Sequence, residues 1–166
     1  MTRLFPSRLL IVLALVVADV TFALTPVGAH VVVFPHDLLT TAPACGTITF
    51  AVRVPTEKPI PTTAVRLRIP PTITVIAVQA KPGWRADFQT NKGRITAITW
   101  SGGKIMPREF DEFAFLAAVP KTAGTVSWDA EQTYADGSVV AWTGAPGSET
   151  PHSQTTFTSA PRRCRS

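Results

Sequence analysis

Short runs of alternating apolar and polar residues, separated by prolines and glycines, set the strongest limit on how this chain folds. In residues 47–54 every second residue is Ile, Phe or Val, and residues 64–69 repeat the alternation. Because successive side chains of a strand point to opposite faces, such runs bury one face and expose the other. No stretch of the sequence shows the periodicity of an amphipathic helix. The pattern therefore predicts a chain made of many short strands.

The remaining runs and turns favour one fold class. Further strands are predicted at residues 30–34, 73–80, 84–90, 94–101, 110–119, 125–134, 138–143 and 153–158. Asp136-Gly137 predicts a two-residue hairpin loop, since both residue types tolerate a positive φ. Stacking two half-apolar sheets buries both inner faces, so we predict an all-β, immunoglobulin-like antiparallel β-sandwich. The large side chains expected in its core are Trp100, Trp128, Phe113 and Phe115.

The first 29 residues have the features of a secretory signal peptide. Arg3 and Arg8 give a positive start before an apolar stretch over residues 9–18, and residues 27–29 are small enough for cleavage. Asp19 ends the apolar stretch well before the roughly 20 residues that a membrane span requires. We expect removal of residues 1–29, a single domain over 30–158, and a basic flexible tail over 159–166. The mature protein is then exported, to the periplasm or beyond.

Charge and motifs exclude several functions. The formal net charge is +5, but arginines in the leader and in the last five residues supply much of it, which leaves the body nearly balanced. The basic stripe needed to bind phosphates is missing, so we expect no nucleic-acid partner. The sequence also has no Gly-rich phosphate loop, no G-x-S-x-G and no H-E-x-x-H. We expect neither an enzyme nor a small-molecule substrate.

The two cysteines lie near opposite ends of the mature chain. In an oxidising compartment Cys45 and Cys164 can form a disulfide, worth on the order of 4 kcal/mol in the chain-entropy model. The alternative is a pair of unlinked thiols, and the sequence leaves both readings open.

His30 becomes the first residue if cleavage follows Ala29. Its α-amine and its imidazole Nδ1 can then chelate one metal ion without any folding. Two nitrogen donors completed by oxygen ligands suit the tetragonal geometry of Cu(II), the divalent ion that such sites bind most tightly. At neutral pH the metal displaces a proton from the amine. The competing interpretation is a histidine that occupies this position by chance.

Motifs along almost the whole mature chain resemble the YcnI-like family of extracytoplasmic bacterial proteins. They are His30-Val31-x-x-x-Pro35, Phe50-x-Val52-x-Val54-Pro55-x-Glu57, Lys81-Pro82-Gly83-Trp84, Ile98-Thr99-Trp100-Ser101-Gly102-Gly103, Pro107-x-Glu109-Phe110-x-x-Phe113 and Asp129-Ala130-x-Gln132-x-Tyr134-x-Asp136-Gly137-x-Val139-x-x-Trp142. The resemblance implies an immunoglobulin-like sandwich that binds Cu(II) through a single-histidine brace.

The resemblance implies the metal-site residues His30, Glu109 and Trp142. Glu131 is a rival carboxylate, because a two-residue hairpin loop would set it opposite Trp142 on the same face. Arg108 stands where the family usually has Gly, and it could pair with Glu109 and draw that carboxylate off the metal.

The function expected from this resemblance is a copper chaperone, or a factor of copper acquisition or homeostasis. Its partners would be the copper ion and a membrane copper transporter or another copper-binding protein. One alternative is an immunoglobulin-like interaction or adhesion module without metal. The other is a copper-dependent oxidative enzyme in which His36 or His152 adds a second imidazole, although both histidines more simply read as exposed loop residues beside prolines.

Overall fold

Twelve strands form the framework of the residues that the structure, a computed structural model, describes: 30–36 and 41–159. They are β1 (Val32–Pro35), β2 (Thr41–Pro43), β3 (Thr47–Pro55), β4 (Thr62–Arg68), β5 (Thr74–Val78), β6 (Arg85–Asn91), β7 (Arg94–Ile105), β8 (Phe110–Ala118), β9 (Gly124–Trp128), β10 (Ala130–Tyr134), β11 (Val139–Trp142) and β12 (Ser153–Thr158). Within these ranges no helix has the length and apolar character needed to cross a membrane. The expected signal peptide and nearly all of the expected tail lie outside the described residues.

The strands form three sheets. The four-stranded sheet has the order β1-β3-β8-β5, and the five-stranded sheet has the order β11-β10-β4-β7-β6. A three-stranded sheet, β2-β12-β9, contains the one parallel pair among the twelve described strands, between β12 and β2. In β3 Phe50, Val52 and Val54 are buried and Arg53 is exposed, as the alternation predicts, whereas Ala51 on the face of Arg53 is buried as well. The predicted all-β, immunoglobulin-like sandwich is confirmed.

Aromatic side chains from different sheets meet in the core. The rings of Trp100 in β7 and Phe113 in β8 lie 5.0 Å apart between centroids. The rings of Phe50 and Trp128 lie 5.2 Å apart, and Phe115 packs on both. None of these five residues is more than 1% exposed. The four aromatic residues predicted for the core therefore all lie in it.

One predicted strand, over residues 125–134, is in fact two. Trp128 at the end of β9 pairs with Ser153 in the three-stranded sheet, whereas Ala130 at the start of β10 pairs with Leu67 in the five-stranded sheet. The chain changes sheets at Asp129, whose carbonyl accepts a hydrogen bond from the backbone amide of Arg68 at 2.9 Å. Alternation of side chains does not reveal such a crossing, because both halves remain extended. The short strand β2 was not predicted either.

The hairpin between β10 and β11 has three loop residues rather than the predicted two. The amide of Tyr134 donates to the carbonyl of Ser138, and the amide of Gly137 donates to the carbonyl of Tyr134, each at 2.9 Å. Gly137 has a φ of 81°, whereas Asp136 does not have a positive φ. This is the loop in which a left-handed glycine follows a type I turn. The pairing of β10 with β11 consequently shifts by one residue.

Cys45 is disulfide-bonded. Of the two readings that the sequence left open, the structure supports the disulfide. The other cysteine of the chain, Cys164, lies outside the described residues.

Candidate metal centre

Two edge strands bring His30 and Trp142 together. His30 comes just before β1, the edge strand of the four-stranded sheet, and Trp142 ends β11, the edge strand of the five-stranded sheet. Their ring centroids are 5.4 Å apart and the ring planes are inclined at 54°. The indole is 2% exposed, while His30 is only partly buried. Two of the three residues predicted for the site are therefore in contact.

Gln132 holds the indole of Trp142. The indole Nε1 donates a hydrogen bond to the Gln132 side-chain oxygen Oε1 at 3.1 Å. The side-chain nitrogen Nε2 of Gln132 donates to the carbonyl of Pro55 at 2.8 Å and to the hydroxyl of Thr62 at 2.7 Å. A buried polar group needs such partners because it has lost its water. Gln132 thereby connects the tryptophan beside His30 to the end of β3.

The hydrogen bonds continue from Thr62 toward the turn that precedes β8. The hydroxyls of Thr62 and Thr56 are 2.9 Å apart, and Thr56 donates to the carbonyl of Ile105 at 3.2 Å. The backbone of Thr56 also bonds to that turn, since its amide donates to Glu109 and its carbonyl accepts from Arg108. The turn bearing the third predicted ligand is thus joined to the same buried network.

Glu109 lies at the His30 end of the four-stranded sheet, but its carboxylate is engaged locally. β1 pairs Val32 with Arg53, and this register continued by two residues brings His30 level with Pro55, which pairs on its other side with Phe110. The exposed Glu109 carboxylate accepts a hydrogen bond from the amide of Met106 at 3.2 Å. Among the described residues no hydrogen bond or ion pair joins its side chain to His30 or Trp142.

Arg108 has a φ of 68°, in the left-handed region that favours glycine. It occupies the third position of a turn closed by a hydrogen bond of 3.0 Å from the Glu109 amide to the Met106 carbonyl, with Pro107 at the second position. These are features of a type II turn, which requires a positive φ at that place. Among the described ion pairs none joins Arg108 to Glu109, so the expected competition for this carboxylate does not occur.

Glu131 lies on the other face of its sheet, and the pairing predicted for it is wrong. It is paired with Ala141, whereas Trp142 is paired with Ala130. The one-residue shift follows from the three-residue loop and turns Glu131 away from the indole. Its carboxylate forms an ion pair with Arg68 at 2.8 Å and a longer one with Arg66 at 3.9 Å. Gln132 occupies the face that the sequence analysis gave to Glu131.

A second carboxylate at the end of β3 was not considered as a ligand. Glu57 is exposed and follows Thr56, and no described residue forms an ion pair or a side-chain hydrogen bond with its carboxylate. Burial raises the pKa of the Tyr134 phenol, and the charge of Glu57 raises this pKa further, which places Glu57 near β10. The available signal was the Pro55-x-Glu57 motif, which brings a carboxylate just past the strand beside His30.

Among the contacts of the described residues, none joins His36 or His152 to His30. The ring nitrogen Nε2 of His152 lies 3.1 Å from the Ser127 hydroxyl and 3.2 Å from the Gln154 side-chain nitrogen. His36 follows β1, and its amide donates to the carbonyl of Thr49. The described residues hold no group of three or more His, Cys, Asp or Glu side chains spaced to hold a metal.

Comparison with known proteins assigns the chain to a family. Residues 30–161 match the family described as a domain of unknown function, DUF1775. The chain belongs to this family. The copper-binding protein CutI of Bacillus subtilis is 37% identical over 147 residues, which cover 87% of this chain and 70% of CutI. The resemblance to YcnI-like proteins drawn from the motifs is confirmed.

Solved structures agree on the fold. A protein from Nocardia farcinica described as having an immunoglobulin-like fold is 32% identical, with a TM-score of 0.65 over 78% of this chain and 99% of its own. A cohesin module from a Clostridium perfringens glycoside hydrolase superposes with a TM-score of 0.54 at 7% identity, covering 79% of this chain and 96% of that one. At that identity the cohesin module shows a shared fold only.

Proposed function

We propose that this DUF1775 protein is exported and binds one copper(II) ion through a single-histidine brace at His30. The observation that carries the proposal is the ring contact between His30 and the buried Trp142 at 5.4 Å. The name of its relative CutI, a copper-binding protein, points to the same metal.

The chemistry of the brace uses two nitrogen atoms of one residue. After removal of residues 1–29 the α-amine of His30 and its imidazole Nδ1 close a chelate ring on the metal. Cu(II) prefers nitrogen and oxygen donors in a tetragonal arrangement. Trp142 covers one side of the imidazole and limits the access of water and thiols there, while its π-face attracts a cation. The site binds and holds an ion, and we assign it no catalytic step.

A carboxylate completes the donor set in this proposal. Glu109 is the ligand implied by the family motif, and its side chain must leave the Met106 amide to reach the metal. Glu57 is the structural alternative, because it lies at the end of the neighbouring strand with its carboxylate unengaged by described residues. Both residues flank Thr56, so either can approach from the same end of the sandwich.

The biological role proposed is that of a copper chaperone or homeostasis factor in the periplasm or outside the cell. A partly buried imidazole at the edge of a sheet leaves one side open, through which copper can pass to a membrane copper transporter or another copper-binding protein. Because the brace lies at the start of the mature chain, its formation depends on cleavage after Ala29.

The proposal predicts that copper binding depends on the free amine. Residues 30–166, produced with His30 first, should bind one Cu(II) per chain in a titration followed by calorimetry and electron paramagnetic resonance. A single glycine added before His30 converts the amine to an amide and should weaken binding by more than the roughly 100-fold that loss of an outer ligand partner causes. His30→Ala should abolish stoichiometric binding.

His152→Ala is the matched control, since it removes another partly exposed imidazole and should leave the titration unchanged. Equal copper affinity with and without the added glycine would refute the brace. Mass analysis of the exported protein tests the cleavage site, and a first residue other than His30 would also refute it.

The carboxylate is identified by three isosteric substitutions. Glu109→Gln and Glu57→Gln each remove a negative charge at the proposed end of the sandwich, and the substitution at the true ligand should lower copper affinity by about 10-fold or more. Glu131→Gln should leave copper affinity unchanged because its carboxylate binds two arginines on the other face. Glutamine at 109 still accepts the Met106 hydrogen bond, so the turn is preserved. Loss of affinity in Glu131→Gln alone would contradict this arrangement.

A further inference from the structure

We infer that Gln132 is the positioning residue of this site: its side-chain amide orients the Trp142 indole against His30. The expected effect on copper affinity rests on the proposed function, whereas the expected effect on the contact between the Trp142 and His30 rings does not. Gln132 is completely buried, and nothing in the family description assigns it a role. Three hydrogen bonds fix its amide group, one from the indole and two to acceptors on other elements.

The amide can take only one orientation. The indole Nε1 of Trp142 is a donor, so the Gln132 atom facing it must be the oxygen. The two hydrogens of the Gln132 nitrogen then go to the Pro55 carbonyl and the Thr62 hydroxyl. A flipped amide would set a donor against the indole N–H and an acceptor against the Pro55 carbonyl. Both errors would leave buried polar groups unsatisfied, at a large energetic cost.

The direction of every hydrogen bond beyond Gln132 follows from this orientation. Thr62 accepts from Gln132, and its own hydroxyl hydrogen is left to donate to Thr56, 2.9 Å away. Thr56 in turn donates to the carbonyl of Ile105. Each group in this series therefore donates to the next, from the Trp142 indole to the Ile105 carbonyl at the end of β7, the strand that leads into the turn of Glu109. Such a chain polarises cooperatively and resists displacement of any one member.

The other buried tryptophans show that this arrangement is particular to Trp142. Trp128 donates to the nearby Thr155 hydroxyl at 3.0 Å, and the buried Nε1 of Trp100 has no partner among the described residues. The sandwich therefore tolerates a buried indole with a simple bond or with none. The bond from Trp128 continues only through Thr155 to the Val33 carbonyl. The network of Trp142, the indole that contacts His30, joins five strands, β11, β10, β4, β3 and β7, and reaches the adjoining turn.

Gln132→Met tests the inference, because methionine keeps the length of the side chain and removes every hydrogen bond. In the copper-free protein the Trp142 indole N–H resonance should move, and the nuclear Overhauser contact between the Trp142 and His30 rings should weaken or disappear. Copper affinity of residues 30–166 should fall about 10- to 100-fold, the range for outer partners of metal ligands, with a changed paramagnetic resonance spectrum.

Ile73→Ala is the matched control for stability. Ile73 is fully buried and precedes β5, whose first residue Thr74 pairs with Ala118 at the sheet end away from Pro55. This variant should lose stability while keeping the ring contact and the copper spectrum. Persistence of the ring contact in folded Gln132→Met would overturn the inference whatever copper does. Loss of the ring contact in Gln132→Met without any change in copper affinity would also overturn the inference.

Thr62→Val provides the second variant, should Gln132→Met fail to fold. It removes one of the two anchors of the amide and breaks the bond to Thr56, and we expect a few-fold loss of copper affinity and a shifted indole resonance. An unchanged resonance and affinity in Thr62→Val would overturn the inference. If the wild-type protein binds no copper, the proposed function fails, and the copper-free ring contact alone decides the role of Gln132.

Discussion

At the scale of single residues, Arg108 is held in a conformation that arginine rarely adopts. Its φ of 68° is required by the turn between β7 and β8, and the same position usually holds glycine in the family that the sequence resembles. A left-handed backbone brings Cβ close to the carbonyl oxygen, which costs about 1–2 kcal/mol for a residue other than glycine. We therefore expect arginine at position 108 to act on this turn through backbone strain and not through an ion pair with Glu109.

Arg108→Gly should stabilise the protein. Relief of the strain is partly offset by the greater freedom of glycine in the unfolded chain, so we expect the free energy of unfolding to rise by up to about 1 kcal/mol. Chemical denaturation of residues 30–166 measures this change. Lys104→Gly is the control, because Lys104 is an exposed residue of β7 without a positive φ and should lose stability instead. A loss of stability in Arg108→Gly would show that the arginine side chain stabilises the turn.

Single residues also show which parts of the site could be predicted. His30 and Trp142, whose rings the structure brings into contact, were predicted from an expected cleavage site and from a family motif. Gln132 was missed, although it shares the buried face of β10 with Ala130 and Tyr134. A polar residue at a position where the alternation demands burial is the signal that could have found it. The fate of the Glu109 and Glu57 carboxylates could not be predicted, because it depends on hydrogen bonds within a turn.

At the scale of elements, one loop residue decides which side chains face the site. The Asp136-Gly137 signal correctly located a hairpin, but it did not distinguish a two-residue loop from a three-residue one. Adding Ala135 to the loop moves the pairing by one, so that Ala130 and not Glu131 lies opposite Trp142. Since strand side chains alternate with a period of two, this small change exchanges the two faces completely.

The same hairpin should give stability a dependence on acid. Hydrogen bonds from the Ser138 hydroxyl and amide to the Asp136 carboxylate lower the pKa of Asp136 below its ordinary value of 3.8. A group whose pKa is lower in the folded state stabilises above its unfolded pKa, and this contribution is lost as the pH falls through the folded pKa. Asp136 therefore stabilises the hairpin at neutral pH and ceases to do so in strong acid.

Asp136→Asn removes this titration while keeping an acceptor for Ser138. The difference in unfolding free energy between wild type and variant should be constant near neutral pH and should shrink as the pH falls below 3.8. Urea denaturation at a series of pH values measures it. A difference that does not change with pH would contradict the role given to this carboxylate.

At the scale of the whole molecule, the largest aromatic side chains form two groups, and the candidate site borders the same hydrophobic core through Trp142. Trp100, Phe113 and Trp84 form one aromatic group, in which Trp84 meets Phe113 edge-on at 4.9 Å. Phe50 and Trp128 belong to a second group. The candidate site lies where the edge strands β1 and β11 approach each other, and neither group includes His30 or Trp142.

The fold class could be predicted from local alternation, because the order of apolar and polar residues in a half-buried strand shows which of its faces is buried. Sheet membership was not predictable, because it depends on partners far along the chain. The crossing at Asp129 and the short strand β2 (Thr41–Pro43) are the two places where this limitation appears. The family motifs predicted His30 and Trp142, whose rings are in contact, and Glu109, whose carboxylate bonds instead within its own turn.

Val31 separates His30 from the sheet by a single residue, and it is 2% exposed. From Val32 onward the backbone is already paired with β3. In the proposed mature chain, His30 would be the first residue and would lie one residue from a paired strand, so few backbone torsions would be restricted when an ion binds. The proposed copper site would then need little reorganisation to bind the ion, so release of copper should be the slow step of any transfer to a partner.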